Sequence, residues 1–176
     1  MRTTIDLNQN WHFVQDDRLT DEEALVDTLS HWERVTLPHT WNAHDAASLH
    51  ATDYKRGRGW YQLSFDTPSG GSRHWLEIGA ASLVADVWLN GKKLGQHKGG
   101  FTIFRFDVTD ALKRGGPNTL LIKVDNSEPE EENDLTAIAP LGGDFNVSGG
   151  LYRYVRMIST AGPVHFDLAD MGGPGV

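Results

Sequence analysis

Residues 83–96 read Leu83-Val84-Ala85-Asp86-Val87-Trp88-Leu89-Asn90-Gly91-Lys92-Lys93-Leu94-Gly95-Gln96. The odd positions Leu83, Ala85, Val87 and Leu89 are apolar, a period of two that predicts a half-buried β-strand. Asn90-Gly91 follows. A two-residue type I′ turn needs positive φ at both central residues, and Asn-Gly is the pair that tolerates it best. The stretch therefore predicts a hairpin whose return strand runs from Lys92 to Gln96.

The same rhythm extends outward. Arg73 to Ile78 predicts a strand with His74, Leu76 and Ile78 on one face. Thr119 to Val124 places Leu120, Ile122 and Val124 together, and Leu151 to Ile158 alternates again. Two short helical turns break the pattern. Thr20-Asp21-Glu22-Glu23 is a capping box, with Thr20 at the N-cap and Glu23 reaching back, opening a helix over Glu22 to Leu29. Thr109 to Lys113 predicts one more turn, ended by Gly115-Gly116-Pro117. Many short strands with few helices predict an all-β sandwich or jelly roll.

Composition limits the function. The 176 residues suit one domain. They are too few for a (β/α)₈ barrel, which needs about 250. A net charge of −8 argues against a nucleic-acid partner and an anionic membrane surface. No apolar run approaches the length of about 20 residues that spans a bilayer. With no cysteine, disulfides, cysteine nucleophiles and cysteine–zinc sites are excluded. The Met1-Arg2-Thr3-Thr4-Ile5 start has no apolar segment of a signal peptide, and the compartment is left open between periplasm and cytoplasm.

Several strings occur in a fixed order: Leu37-Pro38-His39-Thr40-Trp41, Arg58-Gly59-Trp60-Tyr61, Val87-Trp88-Leu89-Asn90-Gly91, Gly99-Gly100-Phe101-Thr102, and Asp144-Phe145 before Gly149-Gly150-Leu151-Tyr152-Arg153. Together they resemble the N-terminal sugar-binding domain of glycoside hydrolase family 2, the family of β-galactosidases, β-glucuronidases and β-mannosidases. The resemblance runs from about Trp11 to about Ile158. It implies a galactose-binding-like jelly roll over residues 1–170. The Gly/Pro-rich tail 171–176 would then open a linker to an immunoglobulin-like domain. It further implies a parent enzyme that is a retaining exo-β-glycosidase, with β-galactosidase as the first expectation. Its two catalytic carboxylates, spaced about 5–5.5 Å apart, would lie on a barrel outside this chain, so no residue here is expected to be catalytic. The domain would buttress the barrel and supply part of the pocket for a β-linked glycoside. No cofactor and no metal are implied.

Within that resemblance Asp144 is the leading sugar ligand, because a carboxylate can accept hydrogen bonds from two hydroxyls of a pyranose. The alternative is a turn-forming Asp that caps local amides. Segment 50–61 is the second candidate, with Asp53, Tyr54 and Arg56 as sugar contacts. Trp60-Tyr61 are read as core. Arg153 is read first as a strand arginine with a buried partner, and second as a residue that orients Asp144 or pairs with the barrel. The six tryptophans are expected in the core and on the face toward the next domain, leaving several aromatic side chains exposed together. His39, His44, Asp45, His50 and Asp53 cluster in sequence, but their spacing fits no metal motif. No Gly-x-Ser-x-Gly elbow occurs, Gly57-Arg58-Gly59 lacks the spacing of a phosphate loop, and Asn146-Val147-Ser148 is formally a glycosylation sequon. The acidic run Glu128 to Asp134 is expected to be a solvated loop. A freestanding carbohydrate-binding module and a purely structural domain remain the rival readings.

Overall fold

The computed structural model describes residues 2–26, 29–45, 55–127, 147–162, 165 and 167–169. Its strands are β1 (Arg2–Asp6), β2 (Trp11–Gln15), β3 (Glu33–Val35), β4 (Arg58–Asp66), β5 (Arg73–Ile78), β6 (Val84–Leu89), β7 (Lys92–Lys98), β8 (Phe104–Asp107), β9 (Pro117–Asp125) and β10 (Val155–Thr160). A short helix, α1 (Asp21–Val26), lies between β2 and β3. The strands form two antiparallel sheets, ordered β1-β10-β5-β8 and β3-β2-β4-β9-β6-β7. This is the jelly-roll-like sandwich that the strand pattern predicts.

The core between the sheets is built by one face of each. Leu76 and Ile78 of β5 and Met157 of β10 meet Tyr61 and Leu63 of β4, Ala85, Val87 and Leu89 of β6, and Leu120, Ile122 and Val124 of β9. Burial of such side chains contributes about 1.5–3 kcal/mol each. Asn90 and Gly91 take φ of 53° and 81°, the type I′ hairpin expected from their sequence.

The expectation of a half-buried strand over Leu83 to Leu89 is corrected, since every residue of β6 is buried. A second layer covers its outer face. Trp88 stacks on Trp60 of β4 at 6.4 Å, and Ala24 of α1 packs over both with Leu121. Asp86, on the same face, is held by Lys93 at 2.7 Å and Lys123 at 3.3 Å. Lys123 also reaches Asp21 of the helix at 2.7 Å while lying 5.3 Å from the Trp60 ring centre. The capping box is present: the Glu23 amide donates to Thr20 Oγ1, and the Thr20 amide donates to Glu23 Oε2. Leu29, expected as the last residue of the helix, lies outside it, with a left-handed φ of 60°.

The outer face of the other sheet is covered by the chain itself. Leu168 packs on Trp75 and Ile158, the His165 ring lies 4.6 Å from Trp75, and Arg105 Nη1 donates to the Leu168 carbonyl. Beneath this cover Glu77, fully buried, accepts from Arg105 and Arg156, each at 2.5 Å. Residues 151–154, expected to open the last strand, pair elsewhere: the Leu151 carbonyl accepts from His39 and the Tyr154 carbonyl from Gly79. Strand β10 therefore starts at Val155.

Five tryptophans are buried; Trp41 is half-buried. Among the described residues the expected cluster of exposed aromatics does not form. The exposed large apolar side chains there are Ile5 on β1, Val26 on α1 and Phe101 in the connection from β7 to β8. Indoles that were candidates for the surface are taken up by the layers outside the sheets.

Candidate functional site

The antiparallel register gathers the long connections at one end of the sandwich. Asp125, at the end of β9, pairs with Arg58 at the start of β4 and with Val84 at the start of β6. Just before β6, Ser82 forms a backbone bridge with Gly150. The connections that carry segments 46–54 and 128–146 therefore leave from neighbouring strand ends. Asp53, Tyr54 and Asp144 fall in those segments and lie outside the described residues, as do His50, Asn146, the acidic run 128–134 and the tail 171–176.

What is described is the ground on which both segments stand. Asn42 is fully buried. Its amide donates to Asp45 Oδ2 at 2.9 Å and to the Lys55 carbonyl at 2.7 Å, and its oxygen accepts from the Gly149 amide at 2.7 Å. Asp45 Oδ2 also accepts from the Lys55 amide at 2.8 Å, closing the base of segment 46–54. Asn126, also fully buried, donates to the Val147 carbonyl at 2.8 Å and accepts from the Gly57 amide at 3.0 Å. A buried amide left unsatisfied costs about 1–3 kcal/mol, so such groups sit where their partners are fixed.

Trp41 seals the arrangement. Its indole stacks on Phe13 with centroids 5.9 Å apart, and its N–H donates to the Lys55 carbonyl. Gly149 and Gly59 lie against the ring so closely that neither position has room for a Cβ. Gly150 has φ of 126° and touches the His39 carbonyl, which also requires glycine. His39 Nδ1 meets the Tyr61 hydroxyl at 2.8 Å. Burial lowers the His39 pKa, against an opposing pull from Glu33, which favours the neutral ring. An open cleft of about 660 Å³ runs beside these residues, with Trp41, His31, Glu33, His44 and Lys55 on its walls.

Arg56 is half-buried at the root of segment 46–54 and donates to the Asn126 carbonyl at 3.4 Å. Trp60 and Tyr61 are core, as expected. The first reading of Arg153 is corrected. It is exposed, it precedes the strand, and its guanidinium lies 5.7 Å from the Tyr152 ring centre, with no ion pair among the described residues. Tyr152 donates its hydroxyl to the Gly100 carbonyl, beside exposed Phe101. Sequence reasoning missed Asn42 and Asn126. The available signal was a polar residue close behind an apolar strand or motif, Asn126 two positions after Val124 and Asn42 directly after Trp41.

Residues 32–157 match the family model described as glycosyl hydrolase 2 galactose-binding domain-like. The chain belongs to this family. Among its relatives, a β-glucuronidase of Bacteroides fragilis is 38% identical over 99% of the chain and 23% of that protein. A β-galactosidase of Thermoanaerobacter pseudethanolicus is 31% identical over 88% of the chain and 20% of that protein. The solved structure of a calcium-binding mutant of Bacteroides uniformis β-glucuronidase 2 superposes with a TM-score of 0.84 and 34% identity, over 99% of the chain and 20% of that enzyme. This family 2 domain thus spans a fifth to a quarter of the length of these relatives.

Proposed function

We propose that this domain is the non-catalytic N-terminal part of a retaining exo-β-glycosidase, in which it buttresses a catalytic barrel and forms one wall of the sugar pocket. The observation that carries the reading is the common root of segments 46–54 and 128–146 at Asn42 and Asn126. Asp144, Asp53 and Tyr54 serve as sugar contacts in those segments, and Arg56 stands at their base. Hydrogen bonds to hydroxyls remote from the scissile bond orient the ring, and that binding energy is then used in the transition state.

The substrate of the parent enzyme is a β-glucuronide. The β-glucuronidase relatives at 38% and 34% identity support this, as do Lys55 and Arg56, which set cationic residues at the root of segment 46–54. Guanidinium and ammonium groups suit the carboxylate of a uronic acid. A β-galactoside is the second reading, supported by the T. pseudethanolicus relative.

The test is direct. The full-length protein is assayed with chromogenic β-glucuronide, β-galactoside and β-mannoside, alongside residues 1–176 alone. Hydrolysis of the glucuronide by the full-length protein only is expected. Turnover by residues 1–176 that vanishes on mutating one of their carboxylates overturns the reading. Micromolar sugar binding by residues 1–176 instead favours a freestanding carbohydrate-binding module.

A further inference from the structure

The two buried asparagines are linked by more than position. Asn42 donates to the Lys55 carbonyl and accepts from the Gly149 amide; Asn126 donates to the Val147 carbonyl and accepts from the Gly57 amide. Lys55 and Gly57 are two residues apart on one strand approach, as are Val147 and Gly149 on the other. The four bonds therefore close a ring: Asn42 to Lys55, Gly57 to Asn126, Asn126 to Val147, and Gly149 back to Asn42. Each asparagine gives a donor to one segment and takes a donor from the other. The bonds join residues up to 107 positions apart in sequence.

We propose that Asn42 and Asn126 act as one positioning brace for the reaction, which fixes residues 55–57 and 147–149, the roots of segments 46–54 and 128–146, to each other. This rests on the reading of those segments as the pocket wall. The ring explains why both side chains are amides. Each site needs a donor and an acceptor at once, and Asn supplies both on a short stem. Aspartate would keep the acceptor but turn a lone pair toward the Lys55 or Val147 carbonyl. Neither asparagine is required to touch substrate. Their effect on the reaction comes through alignment, where an error of about 1 Å can cost on the order of 100-fold in rate.

The experiment uses the full-length enzyme with Asn42→Asp, Asn126→Asp and the double variant. Asn42→Ser and Asn126→Ser, which leave room for a bridging water, serve if the aspartates fail to fold. Two readouts are taken well below the melting temperature: kcat/KM on the hydrolysed glycoside, and amide hydrogen exchange in peptides covering 55–57 and 147–149. Each single variant is expected to lower kcat/KM by about 10- to 100-fold. Asn42→Asp is expected to speed exchange at Gly57, which Asn126 holds, and Asn126→Asp to speed it at Gly149, which Asn42 holds. The double variant is expected to be no worse than the poorer single one.

Exchange changes confined to each variant's own bond, or losses that multiply in the double variant, overturn the brace. Coupled exchange with unchanged kcat/KM overturns the positioning role, since a purely structural tie would alter melting alone. If the unmodified full-length enzyme hydrolyses no β-glycoside, the proposed function fails, while the exchange measurement still decides whether the two asparagines act as a unit.

Discussion

A Cβ built on Gly149 falls 1.8 Å from Cζ2 of Trp41, so the backbone at 149 rests directly on the indole face. The same glycine gives its amide to Asn42. Gly149→Ala must push the ring or the backbone away. The expected cost is about 1–3 kcal/mol, typical of an overpacked site, read as a lower melting temperature. Shrinking the partner with Trp41→Leu in the same chain should recover part of that loss. An alanine variant as stable as the parent would contradict the close approach.

Glu77 sets the acid limit of the fold. Burial pushes its pKa up, but the hydrogen bonds and charges of Arg105 and Arg156 outweigh burial and hold it below the ordinary value. A carboxyl depressed in the folded state stabilises above its unfolded pKa of about 4.3, and that stabilisation is lost as pH falls further. Removing the charge leaves the buried Arg105 guanidinium without its carboxylate, so Glu77→Gln should cost about 3–5 kcal/mol near neutrality. Chemical denaturation across pH 3–7 should show a steep loss of stability on the acid side for the parent and a flatter profile for the variant.

Asp144 is expected to act on turnover rather than folding. In the full-length enzyme Asp144→Ala should lower kcat/KM by about 10- to 150-fold, the equivalent of losing one charged hydrogen bond of about 1.5–3 kcal/mol. The melting temperature should hardly move. The opposite pattern, a lower melting temperature with near-normal kinetics, would return Asp144 to the role of a turn cap.

Phe101 is 70% exposed and follows Gly100, whose carbonyl accepts from Tyr152; Arg153, next in sequence to Tyr152, is exposed as well. We expect these side chains to meet the rest of the polypeptide. Phe101→Ser should leave residues 1–176 unaffected or more soluble, and should lower the melting temperature of the full-length protein. Equal melting for parent and variant in the full-length protein would remove Phe101 from that contact.

Local signals were legible where a few neighbouring residues suffice. Asn90-Gly91 dictates its turn by backbone sterics, Thr20 and Glu23 cap their helix through bonds three residues apart, and Leu120, Ile122 and Val124 share a face by alternation alone. Strand β1 was not legible, because all five of its residues are exposed and only pairing with β10 makes it a strand. Burial on both faces of β6 depends on α1 and Trp60, which no periodicity within β6 encodes. The roles of Asn42 and Asn126 depend on partners 107 and 69 residues away, so their neighbours mark a polar position but not what it binds.

The cover laid by Leu168 over Trp75 and Ile158 changes where this unit can be cut. The family match spans 32–157, and the last strand ends at Thr160. A chimera that exchanged only the matched span would strip β2 from β4, leave β10 without β1, and open the Trp75 indole and the Glu77 arginine pair to water. The transplantable piece runs at least from Arg2 through Ala169. Grafting this domain onto another glycosidase would have to carry that strap, or replace it with an apolar surface on the host.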